Sequence, residues 1–304
     1  MQERKNKRLL ITLVVLTCAL ITVLFLGGNS TEKLDENLYA IPELRSVDRI
    51  VLKSAGDQVE LSYGGSRWKV NGTNADRNLI EVLFATLQQV KLKRAVATSL
   101  QDSVVGHVKR HGVEVNLFSN GNLIKQFYAG GNTEKNQAFF VPPDGQEAHV
   151  VTIPGYRVYA SGIFELPAID WREKLIFDFS WRNFNDLKVN FRNPKGDFEV
   201  ALIRNEAVIK GVAEADTAKL NTFLDELSLL VVEKYLTSRV SDSISKSAPL
   251  ATFTIEDIAN RKYSLEVFEN QNQLLGRINN DQWAVLNERR TLGLLRPKEF
   301  FIKR

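Results

Sequence analysis

The chain has one cysteine, one methionine and three histidines among its 304 residues, and a formal net charge of +4. A single cysteine, Cys18, rules out an internal disulfide, so a packed core must hold any folded part together. Three scattered histidines are a thin supply for a metal centre. No H-E-x-x-H, G-x-S-x-G or phosphate-loop signature with its Lys-Ser/Thr pair occurs. Charge of one sign is also lacking. Arg4, Lys5, Lys7 and Arg8 against Glu3 supply +3 of the +4, which leaves the remainder nearly neutral. A sequence pI of about 9.0 therefore reflects the N-terminus and not a basic surface that seeks nucleic acid.

What is present begins with the longest uncharged run. Leu9–Leu26 contains 18 residues without a charge, behind the basic segment 1–8 and ahead of Gly27-Gly28-Asn29-Ser30. As a helix it would span about 27 Å, close to a bilayer core of about 30 Å. The run is long for a cleaved signal peptide, and no A-x-A-like site follows it. Cys18 has no small residues before it and eight uncharged residues after it, which argues against a lipoprotein. The expectation is an uncleaved single-pass anchor in the cytoplasmic membrane, N-terminus inside and the rest in the periplasm, with Leu9–Leu26 in the lipid bilayer. Thr12, Thr17 and Thr22 fit such a helix if each hydroxyl bonds a carbonyl one turn back. Residues 27–44, polar and acidic, read as a stalk.

The remaining residues, 44% hydrophobic over the whole chain and without low-complexity tracts, read as α+β and as a duplication. Asp76 opens a segment with Leu79, Ile80, Leu83, Phe84, Leu87 and Val90 at helical spacing. Asp216 opens another with Leu220, Phe223, Leu224, Leu227 and Leu230. Shifting the first by 140 residues superimposes them. Strand-like segments precede each helix (49–52, 59–63 and 68–70; 187–191, 198–202 and 208–209) and follow it (113–117, 124–128 and 138–141; 251–255, 263–268 and 283–286). The order β-β-β-α-β-β-β thus occurs twice. Leu187, Val189 and Phe191 oppose Lys188 and Asn190, the alternation of an antiparallel sheet with one wet face. The expected organisation is a basic tail (1–8), an anchor (9–26), a stalk (27–44), repeat 1 (45–170) and repeat 2 (171–304), each repeat a sheet with one main helix.

Between the repeats, Pro154 and Pro167 bracket an expected short helix. Leu175, Phe177, Phe179 and Trp181 alternate like a strand. Tyr156, Arg157, Tyr159, Asp170, Trp171 and Arg172 form the best candidate site, as Arg with aromatics is enriched at interaction hot spots. The competing reading is that they glue the repeats together.

Four features resemble a known family. They are the basic N-terminus with its helix, the Trp68-Lys69-Val70 strand before Ala75-Asp76 and its leucine-rich helix, the Tyr156–Phe164 block, and Trp171-Arg172-Glu173-Lys174. Their order is similar to a family of domains of unknown function in bacterial single-pass membrane proteins. That family also forms the exported part of auxiliary subunits of gliding-motility-type ABC transporters. The resemblance implies an exported domain working beside another envelope component, an ABC transporter among them, and it supplies no catalytic residues.

Other constellations yield little. His107 and His111 are four apart, but Gly106 and Gly112 beside them disfavour a helix, so they are expected in a loop. Gly64-Gly65 and Gly130-Gly131 read as turns, and Asp225-Glu226 as part of a solvated helix face. The expected function is a non-enzymatic accessory or scaffold module without a cofactor, bound to an envelope protein. The alternatives are a small-ligand binding protein with a cleft between the repeats, and an enzyme with an unrecognised carboxylate- or arginine-based site.

Overall fold

The computed structural model describes residues 2–26, 35–204, 206–237, 240, 242–271 and 273–303. Helix α1 runs from Gln2 to Leu26. Two of its threonines bond as expected: the Thr17 hydroxyl donates to the Leu13 carbonyl at 2.8 Å and that of Thr22 to Cys18 at 2.7 Å. The apolar side chains described in α1 are exposed, Leu10 at 63% and Leu16 at 64%. Among the described residues no helix is long and apolar enough to cross a membrane. The described side chains of this stretch run only from Leu10 to Thr22, about 20 Å of helix, and the sequence run Leu9–Leu26 extends past them. Gly27–Leu34, the first part of the expected stalk, lie outside the described residues.

The rest of the expected stalk is folded. Tyr39 and Ile41 are buried in the first core, and the Ile41 N–H donates to the Leu87 carbonyl at 2.9 Å. Tyr39 and Ile41, with Leu38 and Leu44 packed beside them, dock a segment whose average composition reads as polar.

Two antiparallel sheets follow. The first is built from β1 (Arg49–Lys53), β2 (Gln58–Tyr63), β3 (Trp68–Val70), β4 (Thr73–Asn74), helix α2 (Arg77–Gln89), β5 (Lys91–Ala95), helix α3 (Thr98–His111), β6 (Val113–Ser119), β7 (Asn122–Gly131), β8 (Ala138–Val141) and β9 (His149–Thr152). Its strand order is β4-β3-β2-β1-β6-β7-β8-β9-β5. The second contains β10 (Phe184–Phe191), β11 (Phe198–Ile203), β12 (Glu206–Ile209), α4 (Thr217–Ser228), β13 (Val232–Tyr235), α5 (Asp242–Ser245), β14 (Ala251–Asp257), β15 (Lys262–Asn270), β16 (Gln273–Ile278), β17 (Gln282–Leu286) and α6 (Glu288–Leu294). Its order is β12-β11-β10-β14-β15-β16-β17-β13. Leaving out the two-residue β4, the two orders are the same, strand for strand.

Local chemistry explains the elements. Asp76 caps α2 by accepting the N–H of Asn78 and Leu79, and Asp216 caps α4 by accepting that of Lys219. Ile80, Leu83 and Leu87 of α2, and Leu220, Phe223, Leu224 and Leu227 of α4, point into separate cores. Strand β14 alternates strictly between buried and half-buried positions, as one-sided burial requires.

Several expectations fail. Each half carries five strands after its main helix, β5–β9 and β13–β17, so β5, β9, β13 and β16 go beyond the expected pattern, and β17 corresponds to β9 and not to β8. Residues 98–111 form helix α3, with Gly112 as its C-cap. A Cβ at Gly112 would meet the carbonyls of Val108 and Ala129 at 2.5 Å, so this glycine permits a close approach and breaks nothing. Helix α3 covers the outer face of the first sheet, where Val108 joins Phe139, Val141 and Val150 in a small third core. Gly130 and Gly131 lie in β7, paired with Phe139 and Ala138, and the turn follows them. Between Pro154 and Pro167 the chain makes hydrogen-bonded turns in place of a helix. The alternating aromatics of 175–181 form no strand: Leu175 makes a single bridge with Val231, and Phe177 is buried in the second core.

Candidate binding cleft

Residues 171–176 tie the halves together through their backbone. The Asp76 N–H donates to the Trp171 carbonyl at 2.7 Å, and the Glu173 N–H to the Asn74 carbonyl at 2.9 Å. Three residues on, the Val232 N–H donates to the Lys174 carbonyl at 2.9 Å and the Ile176 N–H to Leu230 at 3.0 Å. One short segment therefore lines an edge of both sheets. Trp171 is fully buried in the first core, and its indole N–H donates to the Leu166 carbonyl at 3.2 Å. The expected boundary at 170/171 thus falls inside the segment that closes the first half.

Beside this connector lies a cleft of about 760 Å³, within the range of small-molecule sites. The first half contributes Tyr63, Arg67 and Trp68 from the β2–β3 hairpin and Arg77, Glu81 and Phe84 from α2. The second contributes Tyr235, Tyr263, Asn279 and Gln282, and the connector gives Arg172, Glu173 and Asp178. The hairpin turn at Gly64-Gly65, with Gly65 at φ +83°, swings Arg67 to the mouth. Arg67 meets Asp178 through two contacts, Nη1 to Oδ2 at 2.9 Å and Nη2 to Oδ1 at 3.2 Å, a fork that joins the hairpin to the connector. Arg172 donates to the Gln282 side-chain oxygen and stacks on the Tyr235 ring at 4.7 Å. The Tyr235 hydroxyl donates to the Glu173 carbonyl at 2.6 Å. Burial pushes the Tyr235 and Tyr263 phenols above their usual range, so both stay protonated.

Of the six residues expected from sequence, the cleft takes only Arg172. Tyr156 and Arg157 are exposed on a turn. Tyr159 donates its hydroxyl to Glu165 Oε1 and packs against Gly131, where a Cβ would lie 2.4 Å from its ring. Burial, then that carboxylate, push its phenol up. Asp170 is half-buried outside the lining, and Trp171 is core. The residues that do gather, Arg67, Asp178, Tyr235 and Tyr263, carry no sequence signal because they come from four separate segments.

The histidines are also redistributed. His107 and His111 stand one turn apart on α3, exposed, their ring centroids 5.1 Å apart. His149 is buried, with Nδ1 2.8 Å from the Tyr39 hydroxyl and Nε2 3.4 Å from Glu147 Oε2. Among the described residues no group of three or more potential ligands could hold a metal ion.

No curated protein and no solved structure matches the chain. A protein-family model, that of a domain of unknown function called DUF4340, matches residues 68–252. The match runs from Trp68 on the cleft wall, through α2, the connector and α4, into β14. It covers more than half of the chain, which therefore belongs to the DUF4340 family.

Proposed function

We propose that this chain is a membrane-anchored, non-enzymatic accessory module that holds another envelope component in the cleft between its halves. The cleft carries the reading. It sits where two cores meet, and it presents half-exposed aromatic rings from both halves beside polar side chains, the make-up of a binding site. The anchor reading is supported by an unbroken helix from Gln2 to Leu26 with its described apolar side chains turned outward. The basic flank supports a periplasmic position for the folded part. The resemblance read from the sequence supports a transporter of the inner membrane as one such component. A photo-crosslinking residue at Tyr63, which is 47% exposed on the cleft wall, tests the reading in intact cells. Adducts are expected there and not from the same residue at Leu123, an exposed position outside the cleft lining. Equal labelling at both positions, or none at Tyr63, would sink it.

A further inference from the structure

We infer that the cleft accepts a neutral oligosaccharide, an assignment that rests on the cleft being the binding site. Three observations converge. First, the connector seals both sheet edges beside the cleft. The Asn74 carbonyl at the end of β4 is taken by the Glu173 N–H, and the N–H of Val232 at the start of β13 is spent on Lys174. An extended peptide therefore finds no free strand edge here to add to, which removes the main-chain hydrogen bonds that usually hold one. Recognition falls to side chains.

Second, the charged side chains that line the cleft, Arg67, Arg77 and Arg172 against Glu81, Glu173 and Asp178, cancel in formal charge, and each is held by a neighbour. Arg67 holds Asp178, Arg77 holds Glu81 at 2.9 Å, Arg172 rests on Gln282 and Tyr235, and the Glu173 carboxylate accepts the Leu175 N–H at 3.1 Å. A strongly anionic or cationic ligand would meet as much charge of its own sign as of the opposite one. A hydroxyl meets no such opposition: it donates and accepts at once, so vicinal hydroxyls can lie along the Arg67–Asp178 fork, one on a free carboxylate lone pair and the next on a guanidinium N–H.

Third, the wall carries aromatic rings that are held in place. Trp68 lies between Tyr63, with centroids 5.8 Å apart, and Phe84, edge-on at 5.2 Å. The C–H face of a pyranose ring matches the face of a single such ring, and its polar rim matches the side chain of Asn279, which also lines the cleft.

The test uses the full chain in dodecyldimethylamine oxide, whose headgroup is not a sugar. Maltotriose, cellotriose and chitotriose are titrated by calorimetry, with an uncharged octapeptide of alternating Ala and Gln as the comparison. Saturable binding of at least one trisaccharide is expected, with the peptide silent. Trp68→Ala should weaken it about tenfold or more. Asp178→Asn, a change on a side chain that is 39% exposed, should weaken it comparably while the protein melts like wild type, which keeps the test alive if the Trp68 variant does not fold. Binding by none of the three sugars, or binding unchanged in Asp178→Asn, overturns the assignment. Polypeptide adducts from Tyr63 alongside silent sugars would leave the cleft as the site and remove only the ligand class; no adducts and silent sugars would remove both.

Discussion

Trp171 and Phe301 occupy the same place in the two halves. The Trp171 carbonyl accepts the N–H of Asp76 and the Phe301 carbonyl that of Asp216, both at 2.7 Å, and both aspartates cap the main helix of their half. The next residues repeat the match, with single antiparallel bridges between Ala75 and Arg172 and between Ala215 and Ile302. Both aromatic side chains are fully buried, one in each core. Each half therefore closes by bringing its last segment back to its helix N-terminus.

The equivalence predicts equal consequences. Trp171→Ala should cost about 3–5 kcal/mol through lost packing and the cavity left behind, and Phe301→Ala a similar amount. Trp171→Phe, which keeps most of the packing and loses the bond to the part-buried Leu166 carbonyl, should cost about 1–3 kcal/mol. Denaturant melts of the three variants measure this. A Trp171→Ala melt like wild type would mean that the residue is not structural.

His149 sets a pH dependence. Burial pulls its imidazole below the usual 6.5, and Glu147 offsets this only in part. The unfolded chain therefore takes up a proton that the folded one resists. The contribution of His149 is complete above about pH 6.5 and is lost as the pH falls below it. Between about pH 7.5 and 5.5 the wild type should lose more melting temperature than His149→Gln. A mutant with the same slope would assign the loss to other groups.

The Arg67–Asp178 fork should matter little for stability. Its side chains are 52% and 39% exposed, and such pairs are worth about 0.2–1 kcal/mol. A double-mutant cycle with alanine at both positions should return a coupling in that range, smaller in high salt. A coupling several times larger would make the fork a structural clamp between connector and hairpin.

The anchor predicts a retained N-terminus. Mass spectrometry of the mature protein should find residues ahead of Leu9, and a reporter fused after Arg304 should be active only on the periplasmic side. A mature chain starting near Gly28 would turn the helix into a cleaved signal.

The sequence determined the parts whose signals are local. Asp76 and Asp216 with apolar residues at every third or fourth position mark α2 and α4, because capping and one-sided burial act within a few residues. Alternation marks β6, β10 and β14 for the same reason. Local reading failed where a residue had two uses. Gly106 and Gly112 looked like helix breakers, yet one is tolerated within α3 and the other is its C-cap. Leu175–Trp181 alternates without pairing as a strand: Phe177 and Phe179 pack in the second core while Trp181 is exposed. Only the tertiary structure decided where the halves meet. Arg67 and Asp178 lie 111 residues apart, and neither stands out in its own segment. They become neighbours because the connector is fixed by backbone bonds to β4 on one side and β13 on the other. Hydrophobic periodicity dictates which face of an element is buried, but which elements lie edge to edge follows from packing across the whole chain.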